Sequence, residues 1–200
     1  MHNEWVNFIN QSVQGANAVF NEAEVGDSSI SITSDKVLDV CRALKEGEHE
    51  FNVLQVITGC DYPEENKIEV SYILASFIKN TEVILKTSLA RDGELTVPSV
   101  VEIWSAANFL ERETYDMLGV TFSGHPDHRR ILCPEDWVGF PLRKDYVPEE
   151  KYLDMTINPV HKMNIGEREF GAKHGHIKGA TTSVKNYTVE APEVSEEINN

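Results

Sequence analysis

After Phe122 a proline falls every seven to eleven residues, at Pro126, Pro134, Pro141, Pro148 and Pro159. Gly124, Gly139, Gly166, Gly171, Gly175 and Gly179 accompany them. Each proline fixes its own φ and removes a backbone donor, so no helix or ladder can run through this stretch and build a second core. Yet the same stretch carries Trp137, Phe140, Leu142, Tyr146 and Tyr152, more apolar side chains than a disordered linker holds. Apolar groups on a chain without its own core need another surface to cover them. The sequence therefore divides into a core domain over 1–122, an extended partner-docking segment over 123–160, and a partly flexible C-terminal tail over 161–200 that ends in "EAPEVSEEINN".

The front part has periodicity. Trp5, Phe8, Ile9 and Val13 stand near helical spacing, with Gly15 as a stop. "AVFNEAEV" and "SISITS" alternate as two strands, with Gly26-Asp27 as the hairpin turn. In "TSDKVLDVCRALKEG", Val37, Val40, Cys41 and Leu44 form one stripe. Thr33 or Ser34 can cap its start, and Gly47 can take a left-handed C-cap. "FNVLQVITG" is almost continuously apolar, as in a strand buried on both faces, and Asp61-Tyr62-Pro63 follows as a turn. "KIEVSYILASF" and "EVILKTSLA" read as an antiparallel pair turning near Lys79-Asn80-Thr81. Ser99 and Glu102 form a capping box for a last helix, whose stripe runs from Val100 to Leu118 and ends at Gly119. The order α-β-β-α-β-β-β-α predicts a two-layer α+β domain, with helices on one face of a mixed sheet and an extended C-terminal segment after it.

The formal charge of −15 excludes the basic face of a nucleic-acid binder. It is uneven: residues 1–124 carry 20 acids and 8 bases, residues 125–185 carry 9 and 10, and residues 186–200 carry 4 and none. The three cysteines, Cys41, Cys60 and Cys133, include no CxxC, which argues against a disulfide framework or a cluster site and for a reducing compartment. The first basic residue is Lys36, so no signal peptide with a charged start is expected, and no stretch qualifies as a membrane-spanning helix.

The chemically richest run is "ERETYDMLGVTFSGHPDHRRIL", Glu111 to Leu132. Glu111 and Glu113 lie about 200° apart on a helix and cannot act as a pair. Arg112 and Asp116, four apart, can pair. His125 and His128 could ligate a metal, which keeps a stand-alone metallohydrolase among the readings. Pro126 between them argues against a shared helical turn, and no third ligand follows in frame. His174 and His176 stand apart in a glycine-rich stretch. No G-x-S-x-G, P-loop or GxGxxG is present. What remains is recognition. Arg129-Arg130 and Arg143-Lys144 offer positive groups to a partner's carboxylates, with Trp137, Phe140 and Tyr146 as anchors. An ordinary surface loop is the plain alternative, and an adaptor for other proteins a further one.

"ERETYDMLGVTFSGHPDHRRIL" and the following "PEDWVGFPLRKDY" closely resemble the 30-kDa (or C) subunit of the proton-pumping NADH:quinone oxidoreductase, respiratory complex I. "TGCDYP" and "VPSVVEIWSAANFLERE" are similar to family segments as well, and the likeness covers roughly residues 35–150. His128 departs from it, standing where the family has an apolar residue, often Leu. The resemblance implies a chain with no catalytic, cofactor-binding or metal residue of its own. FMN and iron–sulfur clusters would be carried by partner subunits. It implies a place on the cytoplasmic side of a bacterial inner membrane, against the quinone-site large subunit (D) and the cluster-bearing subunits (B and I). Membrane contact would come only through the complex. The expected docking residues are Glu111, Arg112, Glu113, Asp116, His125, Arg129, Arg130, Trp137, Arg143, Lys144, Asp145 and Tyr146. Related membrane-bound hydrogenases and other quinone-linked dehydrogenases use equivalent subunits and are the nearest alternative.

Overall fold

A computed structural model describes residues 2–23, 26–149 and 151–156. The expected tail over 161–200, with His174 and His176, lies outside the described residues, as does the end of the docking segment beyond Thr156.

Helix α1 (His2–Ser12) buries Trp5 and Ile9, the stripe that its spacing predicts. Strands β1 (Val19–Asn21) and β2 (Ser29–Ser31) pair antiparallel, each only three residues long, with Asn21 opposite Ser29, so the expected two-residue turn at Gly26-Asp27 does not join them directly. Helix α2 (Val37–Glu46) buries Val37, Val40, Cys41 and Leu44. A 3-10 turn over Ser34–Lys36 leads into it, and Thr33 makes no side-chain cap. Gly47 closes α2 at φ −79° and ψ −175° rather than in the left-handed cap. Its role is room: a Cβ there would lie 2.5 Å from the Phe8 ring and 2.6 Å from the Ala43 carbonyl oxygen.

Strands β3 (Val53–Tyr62), β4 (Lys67–Ser76) and β5 (Thr81–Ala90) form the long part of a five-stranded mixed sheet, ordered β1-β2-β5-β4-β3. The β4–β5 hairpin closes Ser76 on Thr81, with Asn80 at φ 49°, where the sequence predicts the turn. β2 lies parallel to β5, and the other pairings are antiparallel. Ile68, Val70, Tyr72 and Leu74 of β4 and Val83, Leu85 and Leu89 of β5 join the helices in one core.

Two expectations about the sheet change. β3 is an edge strand covered on one face only: Leu54, Ile57 and Asp61 are buried, while Gln55, Val56, Thr58 and Cys60 are exposed. An apolar run reads as buried on both sides, but Val56 simply looks outward, 37% exposed. The strand also continues through Asp61 and Tyr62, and the turn begins only at Pro63.

Helix α3 (Ala107–Leu118) starts seven residues later than a cap at Ser99 predicts, with Ala106 at its N-cap. No Ser99–Glu102 capping box forms. Ser99 donates its hydroxyl to Glu111, and Glu102 pairs with Arg42 of α2. Residues 100–106 are turns that still bury Val100, Ile103 and Trp104. Two short strands, β6 (Thr96–Pro98) and β7 (Thr121–Ser123), pair in parallel and bracket α3. Gly119 ends α3 in the left-handed region at φ 79°, as expected.

The compact unit continues past 122 to Val147. Residues 148–156 belong to a second unit, whose described part is a minimal ladder of β8 (Lys151–Tyr152) and β9 (Met155–Thr156).

Candidate docking site

Helix α3 ends in the charged run, and the proline-punctuated chain from His125 to Val147 folds back as a strap on the same compact unit. Its attachment is polar and built mainly on carboxylates. Asp116 has no exposed side-chain surface. Its Oδ2 accepts the backbone N–H groups of Ile131, Leu132 and Cys133 at 3.0, 2.6 and 2.9 Å. Its Oδ1 accepts from Arg130 Nη1 at 2.7 Å. Burial alone would raise this carboxyl's pKa, but the donors from Cys133, Leu132, Arg130 and Ile131 together hold it below the ordinary range.

The far end of the strap is held by a second buried aspartate. Asp61, on the inward phase of β3, accepts the Lys144 N–H at 2.8 Å and both Arg91 Nε and Nη2, at 2.9 and 3.3 Å. Burial again pushes its pKa up, and the Lys144 and Arg91 donors bring it below the usual carboxylate value. Arg91 also reaches Asp145 at 2.6 Å. Between the two clamps, the Leu142 N–H donates to the Met117 carbonyl at 3.0 Å and Arg143 Nε to the Leu118 carbonyl at 2.7 Å, closing the free end of α3. Phe140 lies over Gly119, where a Cβ would come within 2.5 Å of the ring. It is flanked by the Arg130 and Arg143 guanidiniums, 5.1 and 4.6 Å from its centroid.

The start of α3 is arranged differently. Glu111 is fully buried; its Oε2 accepts the Ser99 hydroxyl and its Oε1 the Val100 N–H, both at 2.7 Å. Burial pushes its pKa up to about 7 against these two bonds. His125 approaches Oε2 at 4.0 Å, but its Nε2 is 3.1 Å from the Asn108 carbonyl and its Nδ1 accepts the Asp127 N–H at 3.0 Å. That pattern places the proton on Nε2.

The signature residues thus separate by location. Glu111, Arg112, Asp116 and His125 have buried side chains, and Arg130 and Arg143 are half-buried with partners inside the chain. Arg112 and Asp116 do not pair with each other: Arg112 holds the Arg129 carbonyl at 3.1 Å and Asp127 at 3.4 Å. Trp137 and Tyr146 are half-buried, Tyr146 beside Gly139. Glu113, Arg129, Lys144 and Asp145 are exposed, Arg129 with Asp127 as its neighbour at 3.0 Å. The strap's aromatic anchors therefore find much of their cover on the chain itself.

Sequence reading missed Asp61 and Arg91. One signal was available: Ile57, Gly59 and Asp61 share a strand phase, so the aspartate points where the apolar residues point. His128 is packed among rings. Its ring lies 4.2 Å from Tyr115, and its Nε2 accepts the Phe122 N–H at 3.1 Å. Burial, then His125, lowers its pKa and keeps it neutral. With these nitrogens engaged, His125 and His128 are poorly placed to share a metal ion. Among the described residues no group of three His, Cys, Asp or Glu side chains is arranged to hold one, and no helix is long and apolar enough to cross a membrane.

Residues 30–152 match the family model described as respiratory-chain NADH dehydrogenase, 30 Kd subunit. The chain is 51% identical over 109 residues to the C subunit of the NADH-quinone oxidoreductase of Chlorobium phaeobacteroides, covering 54% of this chain and 65% of that relative, just under two thirds. It is 41% identical over 138 residues to the corresponding C subunit from Moorella thermoacetica, covering 67% of this chain and 92% of that one. Among solved structures, a chain of the archaeal membrane-bound sulfane sulfur reductase, a respiratory membrane complex, superposes with a TM-score of 0.57 at 27% identity, covering 73% of this chain and 85% of that one. A buried carboxylate scaffold under a matched signature, together with these likenesses, places the chain in the family of the 30-kDa subunit of respiratory-chain NADH dehydrogenase.

Proposed function

We propose that this chain is a non-redox structural subunit of the peripheral arm of NADH:quinone oxidoreductase. In this reading it supports electron transfer from NADH through FMN and iron–sulfur clusters in partner subunits to quinone, coupled to proton translocation. It sits peripherally on the cytoplasmic side of the membrane, beside the quinone-site large subunit (D) and the cluster-bearing subunits (B and I). It binds no cofactor itself. The observation that carries the reading is the 41% identity maintained over 92% of the Moorella thermoacetica relative.

The geometry supports a scaffold. Glu111, Asp116 and His125, which could do acid–base work, are engaged with backbone groups of the chain. Electron transfer between clusters falls steeply with distance, so a rigid body that fixes their carriers affects the rate without touching an electron. Exposed Glu113, Arg129, Lys144 and Asp145 form the polar rim of the docking region, and the buried signature residues set its shape.

An equivalent subunit of a related complex is the second reading, favoured by the likeness to the sulfane sulfur reductase chain. Its 27% identity is well below the 41–51% to the NADH-quinone subunits, which favours the first. The test is a mild-detergent purification from membranes with this chain tagged. Flavin-, cluster- and quinone-site proteins should co-purify with NADH:quinone activity. Recovery of a hydrogenase or sulfur-reducing module in their place would select the second reading.

A further inference from the structure

We propose that Glu111 and His125 form a proton-operated switch at the start of the strap: when the buried carboxyl loses its proton to solvent, the His125 Nε2–H leaves the Asn108 carbonyl for Glu111 Oε2 and draws the 125–127 turn with it. The switch belongs to the chain's own fold and does not depend on which complex the chain joins.

The first support is a carboxyl with too few donors for its charged form. Neither the Glu111 nor the His125 side chain has exposed surface. When protonated, Glu111 can donate from Oε2 to the Ser99 oxygen and accept the Val100 N–H at Oε1, each at 2.7 Å, and all its polar atoms are satisfied. When ionised it accepts only, with two donors in reach, whereas Asp116 at the other end of the same helix has four. A buried anion is stabilised by each further donor.

The second is which donor stands nearest. Helix α2 faces Glu111 with Cys41 and β4 with Tyr72; burial first, and the Glu111 charge after it, pushes both pKa values upward, so neither ionises near neutrality. The only charged residue of β3, Asp61, is taken up by Arg91 and the Lys144 N–H. Strands β6 and β7 carry no titratable side chain, and Ser99 is already engaged. On α3 itself the Arg112 guanidinium turns to the Arg129 carbonyl and Asp127. That leaves His125, whose Nε2 lies 4.0 Å from Oε2. Behind it, ring centroid 5.6 Å away, His128 uses its own Nε2 to accept the Phe122 N–H.

The third is that the exchange costs little. Nε2 needs to move by about 1 Å to reach hydrogen-bond distance. The Asn108 carbonyl lies in the first turn of α3 and keeps the Arg112 N–H of the helix ladder after His125 leaves. The new bond has an ionised acceptor and is about twice as strong as the one given up. Because Nδ1 holds the Asp127 N–H at 3.0 Å, the ring pulls on the backbone of the turn as it moves.

The test is an NMR titration of the full chain from pH 5 to pH 9. It follows the Glu111 carboxyl carbon, the His125 ring nitrogens and Nε2–H, and the Asp127 amide, assigned through the backbone. The expected result is a carboxyl that titrates near neutrality, with the Nε2–H and the Asp127 amide shifting at the same midpoint while Nδ1 stays unprotonated. In Glu111→Gln both signals should stay flat. Ser99→Ala removes a donor to the anion, so it should raise the carboxyl midpoint by roughly one pH unit, and the other two signals should follow. A carboxyl that keeps one protonation state over the whole range would overturn the switch. So would a titrating carboxyl with unmoved His125 and Asp127 signals, whatever donor answers the charge instead, or shifts that persist in Glu111→Gln. Protonation of Nδ1 in the same step would replace the exchange by an ion pair and overturn it as well. Should Glu111→Gln fail to fold, Ser99→Ala decides: His125 and Asp127 signals that do not track the raised carboxyl midpoint are not driven by Glu111.

Discussion

The two ends of α3 each bury a carboxylate with no exposed surface, and the two titrate in opposite directions. Asp116 accepts three backbone N–H groups and a guanidinium, and its pKa falls. Glu111 accepts one hydroxyl and one N–H, with no arginine or lysine among the described residues paired to it, and its pKa rises to about 7. Burial is common to both, so the number and charge of the donors decide the outcome. The same difference assigns two structural jobs. Asp116 works as an anion that gathers a loop around itself. Glu111 works as a near-neutral link between the 99–104 turns and the helix. Wherever a chain must be fixed without regular hydrogen bonding, as in the strap, a multiply bonded carboxylate supplies the partners that proline and loop geometry deny.

The largest effect expected is from Asp116→Ala. It leaves three N–H groups and Arg130 without their acceptor, and breaking such a buried pair from one side costs roughly 3–5 kcal/mol. Hydrogen exchange over residues 130–146 should rise sharply, while β4 and β5 keep their protection. If exchange in the strap is unchanged, the clamp is not what holds it. The folded pKa of Asp116 is depressed, so its contribution is present above the ordinary carboxylate range and is lost as pH falls through the folded value.

Glu111 should show the reverse sign. Its folded pKa of about 7 lies above the ordinary 4.5, so the folded state holds this proton longer than the unfolded chain. Its effect is that stability falls as pH rises from 4.5 to 7, by as much as about 3 kcal/mol. His128, whose pKa is lowered, acts oppositely in part of that window, stabilising as pH rises towards the ordinary histidine value. Both proteins in a comparison with Glu111→Gln carry His128, so the difference isolates Glu111. Urea unfolding at pH 5 and pH 8 should show the wild type losing stability relative to the variant. A parallel pair of profiles would mean that Glu111 is ionised in the fold across the range.

Gly119→Ala tests the geometric half of the Asp116 end. The residue sits at φ 79°, and the new methyl would meet the Phe140 ring and the Arg143 guanidinium. A left-handed non-glycine costs on the order of 1–3 kcal/mol, and displacement of Phe140 should loosen the strap alone. Unaltered exchange at residues 139–143 would show that Phe140 can move at no cost.

How much of this was legible follows from distance along the chain. The α2 stripe, the β4–β5 hairpin and the Gly119 stop rest on neighbours within a few residues, and spacing reveals them. The capping box was misassigned because Ser99 and Glu102 have the right local spacing, whereas Ser99 chose Glu111, twelve residues on, once α3 folded back. Asp61 and Lys144 are 83 residues apart, and no periodicity can join them. The same reasoning explains β3: an apolar strand at an edge and one at a centre have similar composition, and only the pairing order separates them. Several residues of the family signature are held by internal bonds that no local pattern encodes.

Arg129→Ala gives the smallest expected change and sharpens the contrast between clamps and rim. Its side chain is 63% exposed, and its charged neighbour among the described residues, Asp127, also faces Arg112 at 3.4 Å. The link that matters to the strap is the Arg129 carbonyl held by Arg112, a backbone contact that alanine keeps. The urea midpoint and the exchange of residues 130–146 should therefore match the wild type. Any effect should appear only in the salt dependence of assembly, as expected of a rim charge. A clear drop in the midpoint would move Arg129 from the rim to the clamps, and the division of the signature into inner and outer residues would have to be redrawn.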